Sequence, residues 1–260
     1  MNQHYEENGY LLVPGVFSAS EVKEMRDGIA RILEVVEQTE HDQNHTWSAV
    51  GDSTLKLRGF HDLQYHDAVF TRMVAHPRLV EVLTELIGPN VQLHHSKMLV
   101  KPPEQGAPFP MHQDQPYFPH ERHSLVAASV HLDETDEENG CLWVQPRSHH
   151  DGRRKHRTDT SFGPFRVGYD GDDRGVAMPV SKGSVLVFSS LVMHRSGPNT
   201  TDRPRRSWII QFCPVDARSA LSGKPLDDRL LVARDGRWLD EPIRERELDL
   251  LAILANYDQS

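Results

Sequence analysis

The hydrophobic pattern begins as helix. Ser18-Ala19-Ser20-Glu21 has the form of a capping box, a hydroxyl followed three residues later by a carboxylate. Val22, Met25, Ile29, Ile32, Leu33 and Val36 then recur at helical spacing and predict one apolar stripe facing a core. A second helical region is predicted from about Asp67 to Ile87. It is interrupted at His76-Pro77, because a proline drives the residue before it out of helical geometry, and Gly88-Pro89-Asn90 ends it. Between the two, residues 41–54 are polar with little periodicity and read as a loop.

Past residue 90 the pattern changes. Val91–Val100, Leu125–Leu132, Cys141–Val144, Ser184–Phe188 and Ser207–Phe212 are short runs rich in Val, Ile and Leu, each bounded by Gly, Pro, Asn or Asp. Strands at such spacing with no helices between them predict an antiparallel sandwich or barrel. His149–Val176 carries the basic run Arg153–Arg157 without periodicity and reads as a long loop or lid. The tail, about Glu241–Ala255, has Ile243, Leu248, Leu251 and Leu254 at helical spacing. The simplest organisation is one domain over 1–260: a helical part to about 90, a β core over about 91–215 and a C-terminal extension from about 216.

Composition narrows the function classes. A formal charge of −9 and a pI near 5.9 argue against a nucleic-acid partner. No apolar stretch approaches the roughly 18 residues of a membrane helix. The acidic start, Met1–Glu7, has no secretory pattern. Two cysteines, Cys141 and Cys213, make neither a disulfide framework nor a zinc spacing. A cytoplasmic enzyme acting on a small molecule is the expectation; nothing speaks to oligomeric state. The 16 histidines direct attention to metal chemistry.

Side chains alternate along a strand, so His-x-Asp sets an imidazole and a carboxylate on one face. A distant histidine can complete a set of two imidazoles and one carboxylate. That set leaves three positions of an octahedral ion open, as Fe(II) oxygenases require. His-x-Asp alone is weak, since roughly one is expected by chance in such a composition. Three occur here: His112-Gln113-Asp114, His131-Leu132-Asp133 and His149-His150-Asp151. His131 and Asp133 read as a strand end and a solvated acidic turn, and His149 and Asp151 as neighbours of a basic loop. His112 and Asp114 lie between Pro108–Met111 and Pro116–Phe118, an apolar and aromatic setting able to dehydrate a metal. His194 follows the strand-like Gly183–Phe188, and Arg205 lies eleven residues further on. A guanidinium can grip a dicarboxylate as a bidentate fork.

Together these residues resemble the phytanoyl-CoA dioxygenase family of Fe(II)/2-oxoglutarate oxygenases. The resemblance is densest in Lys97–Gly106, Met111–Pro119, Glu138–His149 and Gly183–Ser207. It implies a mainly β fold with flanking helices, built on a double-stranded β-helix (jelly-roll, cupin-like) core. It also implies Fe(II) at His112, Asp114 and His194, 2-oxoglutarate at Arg205 with Ser196 assisting, and O2 as the second co-substrate. Lys56, Lys97 and Gln113 match further co-substrate contacts. Tyr117, Phe118, Trp143 and the 149–176 loop are expected to shape the substrate pocket. The activity implied is hydroxylation of an unactivated C–H bond with release of succinate and CO2. Two alternatives use the same triad: a cupin-like isomerase or hydrolase without 2-oxoglutarate, and a non-catalytic jelly-roll binding module.

Overall fold

The computed structural model describes residues 2–38, 44–49, 52–158, 166–167, 175–226 and 229–244. The helices are α1 (Asn2–Asn8), α2 (Ala19–Gln38), α3 (Ala68–Val74) and α4 (Pro77–Ile87). The first strands are β1 (Tyr10–Val13), β2 (Asn44–Ala49), β3 (Asp52–His61), β4 (Val91–Lys101) and β5 (Phe109–His112). Then come β6 (Val126–His131), β7 (Leu142–Val144), β8 (Arg157–Thr158), β9 (Arg166–Val167) and β10 (Val176–Met178). The last are β11 (Val185–Ser189), β12 (His194–Ser196), β13 (Arg205–Pro214), β14 (Leu230–Arg234) and β15 (Arg237–Arg244).

The local signals act as their chemistry requires. Glu21 Oε2 accepts from the Ser18 backbone N–H at 2.7 Å, and Ser18 Oγ accepts from the Glu21 N–H at 3.3 Å. Both limbs of the capping box are therefore closed. Pro77 opens α4 at a position whose N–H would have no helical partner.

The larger sheet has the order β1-β11-β6-β13-β4, with every pair antiparallel. The outer edge of β4 is shared: β3 pairs with Lys97–Val100, and β14 pairs with Val91–Gln92 and carries β15 beyond it. The smaller sheet is β10-β7-β12-β5. This is the jelly roll, with helices on one side.

Alternation along β13 explains the layering. Trp208, Ile210 and Phe212 face outwards and join Val22, Met25, Ile29, Phe70 and Leu83 of the helices in the principal core. The Phe70 and Trp208 rings meet edge to face, 5.0 Å apart. Arg205, Ser207, Ile209 and Gln211 face inwards, into the space between the sheets. Ala127, Leu186 and Phe188 of the large sheet meet Val144 and Leu142 of the small one there.

Three expectations are corrected. Residues 44–49 and 52–61 form a hairpin on the large sheet and not a loop. Residues 241–244 continue strand β15 and not a helix; the rest of the expected tail helix lies outside the described residues. The segment before residue 90 is not wholly helical, because β1, β2 and β3 join the large sheet. Much of the 149–176 loop also lies outside the described residues. Among the described residues, no helix is long and apolar enough to cross a membrane.

Candidate metal centre

His112 ends β5 and His194 begins β12. The two strands are paired with these residues directly opposite each other, and the ring centroids are 4.1 Å apart. Each Nδ1 faces a carbonyl, His112 that of Pro110 at 2.8 Å and His194 that of Val192 at 3.0 Å. A carbonyl only accepts, so each Nδ1 carries the proton and each Nε2 keeps its lone pair. Asp114 Oδ1 lies 3.6 Å from His112 Nε2 and 3.8 Å from His194 Nε2. Its other oxygen accepts from Gln211 Nε2 at 2.7 Å. All three side chains are buried, and the three donor atoms lie within 4.8 Å of one another.

The charges suit a cation. Burial pushes the Asp114 carboxyl up, but His194, the contact with His112 and the charge of Lys97 outweigh it and hold it well below the usual carboxylate range. Burial, then His112, pushes His194 down to about 3. The centre therefore offers a neutral His194 imidazole and an ionised Asp114 carboxylate beside the ring of His112, a donor set that suits a metal. Nitrogen and oxygen donors on one side of a site, with the opposite side unclaimed, fit Fe(II).

The cavity beside these ligands is lined by Lys97, Phe109, Ser129, Leu142, Ser196 and Arg205, among others. Arg205 is only 2% exposed, and its Nε has no hydrogen-bond partner among the described residues. Burial lowers its pKa to about 10, which leaves it cationic at neutral pH. A buried cation without an anion is costly, and the far carboxylate of a dicarboxylic acid is the partner this chemistry fits. Lys101, opposite Arg205 on β4, is no such partner. Its buried amino group donates to the carbonyls of Ala107 and Gly197 and pins the chain that follows His194. Gly140 supports the same segment: with φ at 80°, it approaches Gly197 so closely that a Cβ would lie 2.4 Å from that carbonyl.

The structure brings together His112, Asp114, His194, Ser196, Lys97 and Arg205, and leaves two expected contacts outside. Lys56 does not line the cavity; its backbone bonds to Gln105 and Ala107. Gln113, just past the end of β5, is turned to the loop side and not to the cavity. Its amide donates to the carbonyls of Gly152 and Leu191 and accepts from the Arg154 N–H, so it ties the start of the 149–176 loop to the ligand strand. Trp143 is likewise turned away and stacks under Arg195, 4.4 Å from ring centroid to guanidinium carbon.

The rival triplets have structural roles. Asp133 accepts from Arg26 and from the backbone and guanidinium of Arg206, joining α2 to β13, and is not in a solvated turn. His149 and His150 bond the carbonyls of Glu6 and Glu7 in α1, and Asp151 pairs with Arg154.

The sequence reading missed Gln211. The only signal was a lone glutamine at an inward position of an apolar strand. A carboxamide holding one carboxylate oxygen leaves the other free for metal. Gln211→Leu is expected to weaken iron binding about 10- to 100-fold, the usual cost of losing an outer hydrogen bond to a ligand. Competition against a chromogenic chelator measures it.

A family model described as phytanoyl-CoA dioxygenase (PhyH) matches residues 5–207. The chain belongs to the phytanoyl-CoA dioxygenase family. It is 30% identical over 232 residues to a probable alpha-ketoglutarate-dependent hypophosphite dioxygenase of Stutzerimonas stutzeri, a match covering 83% of this chain and 78% of that one. Two solved structures with this family's fold are also similar. The non-heme alpha ketoglutarate dependent carbocyclase SnoK from nogalamycin biosynthesis is 26% identical, with a TM-score of 0.70 over 88% of this chain and 93% of that one. The epimerase SnoN from the same biosynthesis is 25% identical, with a TM-score of 0.66 over 92% and 93%. This member of the family is a 2-oxoglutarate-dependent dioxygenase, with Fe(II) and 2-oxoglutarate as its cofactors. The two alternatives to that class give way.

Proposed function

We propose that the enzyme hydroxylates an unactivated C–H bond of a small organic molecule, with release of succinate and CO2. The observation that carries this reading is the buried set of His112, Asp114 and His194 facing a cavity lined also by Arg205, a buried arginine with no paired carboxylate among the described residues. His112 and His194 would hold Fe(II) through Nε2, and Asp114 through Oδ1. Arg205, with the hydroxyl of Ser196, would hold the far carboxylate of 2-oxoglutarate. Lys97, on the cavity wall, adds positive charge near Asp114. What the bound iron supplies is oxidative decarboxylation of 2-oxoglutarate by O2, giving an oxidant equal to a strong C–H bond.

The chain's own contribution is position and dryness. The carbonyls of Pro110 and Val192 fix the two imidazoles, Gln211 fixes the carboxylate, and Phe109, Leu142, Phe188 and Ile209 exclude water. Asp114 would be the third protein ligand, and two imidazoles with one carboxylate would leave room on the ion for a 2-oxo acid and O2. The test is turnover of 2-oxoglutarate under isotopically labelled O2 across a panel of small molecules. Succinate release coupled to a product that has gained one labelled oxygen is the expected result. A product that is ring-closed or epimerised without that oxygen would overturn the hydroxylase assignment.

A further inference from the structure

We infer that Lys101 is a positioning residue for the co-substrate: its side-chain nitrogen ties the start of β5 to the end of β12 and so sets the seat of the far carboxylate at Ser196 and Arg205. This rests on the assignment of Arg205 and Ser196 above. Lys101 ends β4, is 1% exposed, and donates to the Ala107 carbonyl and, at 2.7 Å, to the Gly197 carbonyl. Ala107 lies two residues before Phe109, the first residue of β5, and Gly197 follows Ser196, the last of β12. Phe109 and Ser196 are partners on the ladder between those strands, and both line the cavity. Across the large sheet Lys101 faces Arg205. One nitrogen therefore holds both strands of the metal centre from beside the arginine.

The ladder needs a tie at this end. His194 faces His112 but Ser196 faces Phe109, so two steps along β12 match three along β5. The slip falls between the ligand pair and the co-substrate pair, and a slip of this kind breaks regular pairing. Pro110, within it, has no N–H to give, and its carbonyl faces Nδ1 of His112. The pairing that fixes the two imidazoles therefore does not by itself fix Ser196 against Phe109. Lys101 supplies that hold. The backbone around it is secured separately: Asn199 Nδ2 donates to the carbonyls of Lys101, Pro102 and Arg203, and Gly106 and Asn199 exchange backbone bonds. Loss of the lysine nitrogen thus slackens the seat while the surrounding chain keeps its anchors.

The hydrogen-bond count makes this nitrogen a tie and not a charge for the ligand. An uncharged amine has two N–H groups, and the two carbonyls take them. An ammonium would leave a third N–H without an acceptor among the described residues. Burial, and then the charge of Arg205, push the group well below the usual lysine range. Arg205 lines the cavity and Lys101 does not. The arginine therefore meets the carboxylate, and the lysine keeps Ser196 where its hydroxyl can join it.

The test is anaerobic titration of iron-loaded enzyme with three 2-oxo acids, read by the visible metal-to-co-substrate band. They are 2-oxoglutarate, 2-oxobutyrate, which lacks the far carboxylate, and 2-oxoadipate, which is one methylene longer. Lys101→Met is expected to hold iron as tightly as wild type and to bind 2-oxobutyrate unchanged. It should weaken 2-oxoglutarate about tenfold, the cost of a buried acceptor losing its donor, and its preference for 2-oxoglutarate over 2-oxoadipate should shrink. Lys101→Gln keeps two N–H groups on a shorter side chain. A smaller loss confined in the same way to 2-oxoglutarate is expected of it, and this variant decides the matter if the methionine one does not fold. Equal weakening of 2-oxoglutarate and 2-oxobutyrate, weaker iron binding, or unchanged 2-oxoglutarate binding would overturn the inference. A wild-type enzyme that binds 2-oxobutyrate as tightly as 2-oxoglutarate would instead overturn the co-substrate seat beneath it.

Discussion

Asp114→Ala is expected to abolish turnover and to weaken iron binding by more than about a hundredfold, beyond what loss of an outer hydrogen bond costs. The carboxylate is the centre's one negative ligand, and it is held ionised between the two histidines. Without it, two nitrogens remain on paired strands, with nothing to neutralise a divalent ion in a buried site. The readout that separates this from misfolding is metal-dependent stability. At a metal concentration one hundred times its Kd, the wild-type protein gains about 2.7 kcal/mol. The variant should gain almost nothing at that concentration, while its metal-free melt remains cooperative. Retained turnover would remove Asp114 from the centre.

Arg205→Met is expected to weaken 2-oxoglutarate by about 2–5 kcal/mol, the range for truncating one partner of a buried charged pair, with iron affinity unchanged. The same change should not destabilise the metal-free protein. Arg205 is fully enclosed, has no paired carboxylate among the described residues, and sits opposite the buried Lys101. Removing an uncompensated buried cation while keeping its volume is neutral or stabilising. The two halves of this expectation work together. A residue kept for structure would lose stability on substitution, whereas a residue kept for a ligand loses only the ligand. A 2-oxo acid without the far carboxylate serves as the control and should bind wild type and variant alike. A variant that unfolds yet binds 2-oxoglutarate normally would reverse the assignment.

The parts of this fold that could be read from sequence are those where local chemistry and packing agree. The capping box at Ser18, the break at His76-Pro77 and the strand at Ser207–Phe212 all follow from side-chain rules that the fold also obeys. The hairpin of β2 and β3 was not legible, because β2 lies at the edge of the sheet and pairs on one side only. In β3, Leu57 and Phe60 are buried but Arg58 between them is exposed. An edge hairpin needs only a few apolar positions and so resembles a polar loop. The β15 strand was missed because Ile243 fits the helical spacing of the leucines after it, although it pairs with Leu231 of β14, just across the Asp235-Gly236 turn.

Within the site, spacing alone could not choose among three His-x-Asp triplets. Geometry chooses by facing His112 with His194 across a ladder and by engaging Asp133 and Asp151 with arginines. Gln113 lies just past the end of β5, so its contacts with Gly152, Leu191 and Arg154 depend on tertiary structure that the His-x-Asp spacing does not encode. Gln211 and the tie at Lys101 depend on cross-strand register, which no single segment encodes.

Anaerobic addition of Fe(II) and then 2-oxoglutarate to metal-free enzyme tests the central claim most directly. The expected result is a visible charge-transfer band that grows with both components to one equivalent of each, and that fails to form in Asp114→Ala. A protein shown by metal analysis to hold iron, yet giving no band with saturating 2-oxoglutarate, would contradict the account.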